Sequence, residues 1–542
     1  MPKHLNQLLK DITILFQSSD ENPLITNLCF DSRNITNGCL FFALPGTHVH
    51  GNKFIKDALC QGASAIVYQD TLPEEAIMLA KGQQNTAVFI QVENSRFAMS
   101  PISSAFYDNP SSKLAIIGVT GTEGKSSTVS FIWQFLNFIG KKAGFISTVE
   151  YSLGGKAIAN PEHQTTPEAP IIQKKLSDMV EAGCHYAVIE SSSHGLSPKT
   201  NRLGNVLFDS AVWMNITHEH LEFHGSIEQY KNDKLNLFKS LDTHNHKKII
   251  EGKEQVIQSF GVINLEDSSA HDFVKATQSK VYGFTTQGVA GRGKHLIEKN
   301  PPQIPSLLAH NITESHNLTF TLSGNIDELQ KDISITTSIH GAFNVYNITA
   351  AIITVNKITN HPIEDIAQKA RQLIPVIGRM TSINQNQPFE VIVDYAHTPS
   401  SFETIFPPLR RRTQGNILAV FGSGGERDIQ KRPEQGRIAA QWCDILILTD
   451  EDPRHEDSLK LLQMIAEGAK SKGKVSEETG LYIIPHRQKA LRKAFSLAKA
   501  GDIVLLLGKA HENSIIYKDF IMPYDEIAEA KKALSEMGFK YN

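Results

Sequence analysis

The chain has 542 residues, 20% charged and 40% apolar, with a formal net charge of −3. That length carries about three or four domains, each with its own core, and the near-neutral balance excludes the basic footprint of a nucleic-acid binder. The five cysteines (Cys29, Cys39, Cys60, Cys184, Cys443) form no C-x-x-C pair, which argues against a disulfide framework or structural zinc and for a reducing, cytoplasmic compartment. The start M-P-K-H-L-N-Q does not read as a signal peptide, and no apolar run nears about 18 residues, so no membrane insertion is expected.

Residues 1–110 mix short strand-like runs (Cys39–Leu44, Ala65–Tyr68, Thr86–Gln91) with turn residues and end in the polar linker Tyr107–Lys113. Next comes Leu114–Ser127, L-A-I-I-G-V-T-G-T-E-G-K-S-S. An apolar run passes through Gly118, Gly121, Thr122 and Gly124 into Lys125, Ser126 and Ser127. Val129, Phe131, Ile132, Phe135, Leu136 and Ile139 then recur at helical spacing. Strand, glycine-rich loop and helix is the layout that cradles phosphate. The glycines let backbone N–H groups face an anion, Lys125 adds a positive charge, and a serine hydroxyl can hold Mg²⁺. Val119 stands where the strict spacing of a motor or kinase loop requires glycine.

The central block, 111–375, continues with the strands Tyr186–Glu190 and Phe208–Asn215 and a polar stretch near 286–316 expected to be a surface loop. The third block, 376–542, alternates Glu390–Asp394, Asn416–Phe421, Asp444–Thr449, Leu481–Ile484 and Ile503–Leu507 with helical patterns, as in a parallel sheet covered on both faces. The expected fold is α/β in three domains: a small α/β N-terminal domain, a central P-loop ATPase-like parallel-sheet domain and a C-terminal Rossmann-like domain.

Open α/β sheets bind ligands beyond the carboxyl ends of their strands, so polar residues at those ends are candidates. Glu190 ends its strand just before Ser191–His194 and suits Mg²⁺ beside a phosphate loop; the plainer reading is a solvated acid before a serine cap. The run Asn215–His224 crowds His218, His220, His224, Glu219 and Glu222 and invites zinc. A phosphate loop calls instead for Mg²⁺ and oxygen ligands, and His218 and His224 read as surface imidazoles.

Taken together, these residues give the chain a resemblance to the Mur ligases, ATP-dependent enzymes that build the peptide stem of the cell-wall precursor. It is most similar to the members that add the third, diamino residue. The patterns recur in order: D-S-R at Asp31–Arg33, G-x-T-G-T-x-G-K at Gly118–Lys125, T-T-P at Thr165–Pro167 and E-x-S-S-H at Glu190–His194. N-x-T-x-x-H-L-x-x-H follows at Asn215–His224, then G-x-F-N-x-x-N at Gly341–Asn347, G-R-M at Gly378–Met380 and D-Y-A-H-T-P at Asp394–Pro399. F-G-x-G-G-x-R-D at Phe421–Asp428, D-P-R at Asp452–Arg454 and G-K-x-H-E at Gly508–Glu512 complete the series.

The resemblance implies a role for each matching residue. Ser32 and Arg33 bind the UDP end of a UDP-N-acetylmuramoyl-dipeptide, and Thr165, Thr166, Ser192 and Arg202 contact its sugar-peptide portion. Gly121, Thr122, Gly124, Lys125, Ser126 and Ser127 hold the phosphates of ATP, Asn344 and Asn347 face adenine, and Arg379 and Asp394 face ribose. Ser126, Glu190 and His220 ligate Mg²⁺, joined by Lys234 as a CO2-derived carbamate; only a neutral amine adds CO2, so such a site must favour the uncharged lysine. Lys125, Glu190, His220 and Lys234 are the catalytic set.

Glu451, Asp452, Arg454, Gly508 and Glu512 select the incoming amino acid. The arginine fork of Arg454 suits the distal carboxylate of meso-diaminopimelate and Glu512 its distal ammonium, whereas the acidic Glu451 and Asp452 suit lysine or ornithine. The chain departs from the family pattern at Glu123 in the phosphate loop, at Glu219 and Glu222, and at His50, Thr381 and Ala510. The expected protein is a monomeric cytoplasmic ligase. Two alternatives are a non-catalytic relative that binds UDP-muramyl peptide and a folylpolyglutamate synthase-like ligase, which lacks the D-S-R domain and the D-P-R selector.

Overall fold

The computed structural model describes residues 2–46, 50–72, 74, 78, 87–162, 164–217, 221–286, 304–315, 317–326, 329 and 331–540. They build three separate main sheets along the chain. The first has five strands, in the order Phe16–Gln17, Val88–Gln91, Ala65–Tyr68, Cys39–Ala43, Asn27–Cys29, parallel except for the first. Leu40, Phe42, Val67 and Ile90 pack there against Met99 and Ile102 of the helix Ser95–Phe106.

The second sheet has eleven strands. Ala143–Ile146, Tyr186–Glu190, Ala115–Thr120, Ser210–Trp213, Phe260–Asn264 and Lys280–Thr286 form its parallel centre. These are near-continuous apolar runs because helices cover both faces: Val188, Val119 and Val129 belong to one core, Ile189, Ile116 and Trp213 to the other.

The stretch expected as a surface loop near 286–316 is corrected by the structure. Ser306–Glu314 is a strand, parallel to Lys280–Thr286 and antiparallel to Leu318–Gly324. Its polar composition hides an alternation in which Leu307 and Ala309 turn inward. Residues 287–303 lie outside the described set.

The third sheet runs Thr381–Ile383, Glu390–Asp394, Ile503–Leu507, Ile417–Phe421, Ile445–Leu448, Leu481–Ile483, parallel except for the antiparallel edge Thr381–Ile383. All five cysteines are free. Among the described residues, no helix is long and apolar enough to cross a membrane.

Candidate active site

The strand Ala115–Thr120 ends in a loop that turns into the helix Lys125–Phe138 at Gly124, whose φ is +82°. A Cβ at Gly124 would stand 2.5 Å from Asn347 Oδ1, so the loop lies hard against the helix Asn344–Thr359. Asn347 is locked behind it, accepting from Thr128 Oγ1 at 3.2 Å and donating to Asn344 Oδ1 at 2.8 Å. Lys125 Nζ, 2.7 Å from the Thr122 carbonyl oxygen, folds back over the loop. The Glu123 amide donates to Asn215 Oδ1 at 2.9 Å, and the Asn215 amide returns a bond to the Glu123 carbonyl at 3.1 Å. The unexpected glutamate is thus held by its backbone.

Strand ends bring the metal candidates together. Glu190 Oε2 accepts from Ser126 Oγ at 3.0 Å and from the Thr148 amide at 2.9 Å, with both side chains buried. Cis ligands of an octahedral Mg²⁺ at about 2.1 Å are about 3 Å apart, so this oxygen pair fits Mg²⁺. Lys234 is also buried; its Nζ donates to the Gly121 carbonyl at 2.6 Å and lies 4.5 Å from the centroid of Tyr230. Tyr230 Oη is 3.1 Å from Thr122 Oγ1, tying the lysine's helix, Ile227–Ser240, to the loop. His220 lies outside the described residues, with His218 and Glu219.

His224, expected as a surface imidazole, is buried. Its Nδ1 pairs with Asp233 Oδ2 at 2.7 Å and its Nε2 meets Ser193 Oγ at 3.0 Å. Burial would raise the Asp233 carboxyl, but hydrogen bonds from His224, Gln229 and Ser197 hold it below its ordinary value. The imidazole thus pins the turn after Glu190 to the helix bearing Lys234.

A cavity of about 230 Å³ opens over the loop, walled by Thr122–Ser127, Glu190, Asn347, Arg379 and Asp394. Arg379 reaches Ser126 Oγ at 3.5 Å and lies 4.8 Å from the Tyr395 centroid. Asp394 spends its two oxygens on the amides of Met380 and Ala396, at 2.7 and 2.8 Å.

A second cavity of about 830 Å³ shares the walls Thr148, Thr165, Tyr395, His397 and Thr398 and extends to Glu451, Asp452, Arg454 and Glu512. Lys509 is the hub of that end: it pairs with Asp452 Oδ1 at 2.9 Å and with Glu512. Asp452 Oδ1 also accepts from the Ile516 amide at 2.9 Å. Among the described residues, Arg454 Nε and Glu451 Oε2 are shielded from solvent and have no hydrogen-bond partner. Burial raises the Glu451 carboxyl, an effect that Lys431 and Lys509 partly offset. Gly508, at φ +96°, packs so close to Glu451 that a Cβ would lie 2.8 Å from its Oε2.

Three family models match consecutive parts of the chain: the Mur ligase family catalytic domain at residues 24–107, the Mur ligase middle domain at 119–355 and the Mur ligase glutamate ligase domain at 378–510. The UDP-N-acetylmuramyl-tripeptide synthetase of Treponema denticola is 49% identical over 98% of both chains. The chain belongs to the Mur ligase family. The UDP-N-acetylmuramoyl-L-alanyl-D-glutamate–2,6-diaminopimelate ligase of Geobacillus kaustophilus is 33% identical over 95% of this chain and 96% of its own. A solved structure of a ligase of that name superposes with a TM-score of 0.60 at 25% identity, covering 99% of this chain and 100% of the other.

Some Mur ligase motif residues of the second and third sheets therefore line two adjoining cavities that share five wall residues, but those of the first do not. Ser32 and Arg33 sit on a short 3-10 turn of the first sheet, Arg33 paired with Asp31, and neither lines either cavity. Thr166 is buried, its hydroxyl bridging the Glu190 carbonyl at 2.9 Å and the Ser192 amide at 3.0 Å. Arg202 holds the Thr166 carbonyl at 2.9 Å and Glu168 at 3.0 Å, while Ser192 caps the helix Ser193–Leu196. Thr148, Tyr395 and Lys431, which no motif role marks in the sequence, also wall the second cavity, and only the fold gives Lys509 of G-K-x-H-E its two carboxylate partners.

Proposed function

We propose that this Mur ligase adds a diamino acid to UDP-N-acetylmuramoyl-L-alanyl-D-glutamate at the expense of ATP. The observation that carries the reading is that the phosphate-loop cavity shares five wall residues with a second cavity lined by Glu451, Asp452, Arg454 and Glu512. ATP and Mg²⁺ are the family's cofactors. The glycine loop, Lys125 and Ser126 hold the β- and γ-phosphates, and Ser126, Glu190 and His220 hold Mg²⁺, which when bound screens phosphate charge. The terminal D-glutamyl carboxylate attacks the γ-phosphorus, releasing ADP and forming an acyl phosphate. The free amine of the incoming amino acid then attacks the acyl carbon, and phosphate leaves as the amide forms and a proton is lost. Lys125 offsets the charge that develops on the transferred group, so catalysis is positioning and charge neutralisation rather than attack by a side chain.

Lys234 as a carbamate joins the metal ligands in this reading, supported by its burial against the loop carbonyl of Gly121. Asn344, Asn347, Arg379 and Asp394 shape the nucleotide side, and Ser32, Arg33, Thr165, Thr166, Ser192 and Arg202 the UDP-muramyl side. Residues 1–110, 111–375 and 376–542 are the three working domains of a cytoplasmic monomer.

Meso-diaminopimelate is the preferred amino acid. Its distal centre carries both a carboxylate for the unpartnered Arg454 Nε and an ammonium for the unpartnered Glu451 Oε2. Lysine or ornithine is the second reading, favoured by that same Glu451 carboxylate and by Asp452. The test offers meso-diaminopimelate, lysine and ornithine in parallel with ATP and the UDP-muramyl dipeptide, reading phosphate release and product mass. Meso-diaminopimelate should be used best, and Arg454→Ala should weaken its use about 100-fold. Preference for lysine or ornithine refutes the Arg454 argument; no stimulation by any of the three refutes the ligase reading.

A further inference from the structure

At the amino ends of the central strands, on the sheet edge opposite the phosphate loop, three metal-ligating side chains converge. Asp209 leads into the strand Ser210–Trp213, and His244 and His246 follow the helix Ile227–Ser240. Asp209 Oδ1 lies 2.9 Å from His246 Nδ1 and 3.7 Å from His244 Nε2. The two imidazole centroids are 4.0 Å apart, and one donor atom from each residue falls within 4.8 Å of the others. Neighbouring ligands of a tetrahedral zinc-class ion at about 2.0–2.1 Å stand about 3.3 Å apart, so this triangle is of a size to close on one ion.

The groups behind the triangle are arranged to present it. Asp209 Oδ2 accepts from the Ile116 amide at 2.8 Å and pairs with Lys248 Nζ at 2.9 Å, which leaves Oδ1 to the histidines. His246 Nε2 is 2.7 Å from the Leu241 carbonyl oxygen. A carbonyl only accepts, so Nε2 carries the hydrogen and Nδ1 turns its lone pair toward Asp209, the outer contact that orients metal-binding imidazoles. Two lone pairs at 2.9 Å require a cation between them, either a proton or a metal.

The position of His244 favours the metal. Among the described residues, both of its ring nitrogens are shielded from solvent and neither has a hydrogen-bond partner within 3.5 Å; the anion Nε2 faces is Asp209 Oδ1, at 3.7 Å. A proton shared by His246 and Asp209 leaves Nε2 at that long distance, whereas a metal ion takes it as its third ligand. His246 also holds a φ of +54°, in the left-handed region, to bring its ring beside that of His244.

We propose that Asp209, His244 and His246 bind one divalent ion of the zinc class, separate from the Mg²⁺ of the phosphate loop. Three protein donors leave a fourth position, where an anion such as hydroxide offsets the neighbouring Lys248 ammonium. Lys248 Nζ also donates to the carbonyls of Ser111 and Leu207, each at 2.8 Å. The ion therefore reinforces the corner where the linker from the first domain meets the central sheet, and it takes no part in ligation.

The test titrates the chelator-stripped full chain with Co²⁺, with excess Mg²⁺ present and no nucleotide. One equivalent should bind and give the visible absorption of a four-coordinate Co²⁺ ion, which one equivalent of Zn²⁺ displaces. His244→Ala should weaken this binding at least about 10-fold while ligation in Mg²⁺ stays at the wild-type rate. His244→Asn, which keeps a polar group in the turn, should do the same and guards against a folding failure. Wild-type protein that takes up no more Co²⁺ or Zn²⁺ than these two variants overturns the proposal and leaves a proton between His246 and Asp209.

Discussion

Replacing Gly124 by alanine tests whether the loop's backbone, rather than its side chains alone, makes the phosphate site. Gly124 has φ +82°, and alanine in that region costs about 1–2 kcal/mol. The new methyl group would lie 2.5 Å from Asn347 Oδ1. Moving Asn347 away gives up its bonds to Thr128 and Asn344, at about 1 kcal/mol each. The sum is about 3–4 kcal/mol charged to the phosphate-ready loop, or about a 100- to 1,000-fold fall in its population. Steady-state kinetics with varied ATP should show kcat/KM for ATP reduced by about that factor. Calorimetric titration with ADP and Mg²⁺ should show a matching loss of affinity. A Gly124→Ala enzyme whose ATP kcat/KM stays within about threefold of wild type would refute the reasoning.

Other perturbations separate chemistry from scaffold. Lys125→Ala should abolish ATP-dependent ligation in a phosphate-release assay while leaving the circular-dichroism spectrum and melting profile of the wild type. Arg487, fully buried, pairs with Glu526 at 2.8 Å and holds the carbonyls of Asp450 and Leu507. Arg487→Ala should destabilise the third domain by about 3–5 kcal/mol in urea unfolding, because it strands a buried carboxylate. His511 is pushed down to about 3 by burial and by Arg379, Lys509 and His397, against 6.5 in the unfolded chain. The unfolded state therefore binds the extra proton between about pH 6.5 and 3, so stability falls as pH falls through that window. Urea midpoints measured across it should fall less steeply in His511→Gln; an unchanged slope would remove His511 from the account.

Some parts of this protein are legible in local sequence because one physical cause suffices. The strands Ala65–Tyr68, Tyr186–Glu190, Glu390–Asp394 and Ile503–Leu507 stand where their apolar runs put them, since a strand buried on both faces needs nothing else. The glycine loop is equally local: φ values of +154° at Gly121 and +82° at Gly124 call for the residue type the sequence supplies. Mixed patterns mislead. Ser306–Glu314 reads as loop because half its residues face solvent, and His224 reads as surface because nothing nearby in the chain announces Asp233 and Ser193 as its partners.

The sequence by itself determines the three α/β domains, the phosphate loop and the Mur ligase family, all of which rest on periodicity and on motifs within a few residues of one another. Only the tertiary structure decides what those motifs meet. Ser126 reaches Glu190 across 64 positions, Lys234 reaches Gly121 across 113, and Lys509 reaches Asp452 across 57. Asp209 finds His246 across 37. Such pairings follow from strand order and helix packing, which depend on the burial of all three cores together, and no local stretch of chain encodes them.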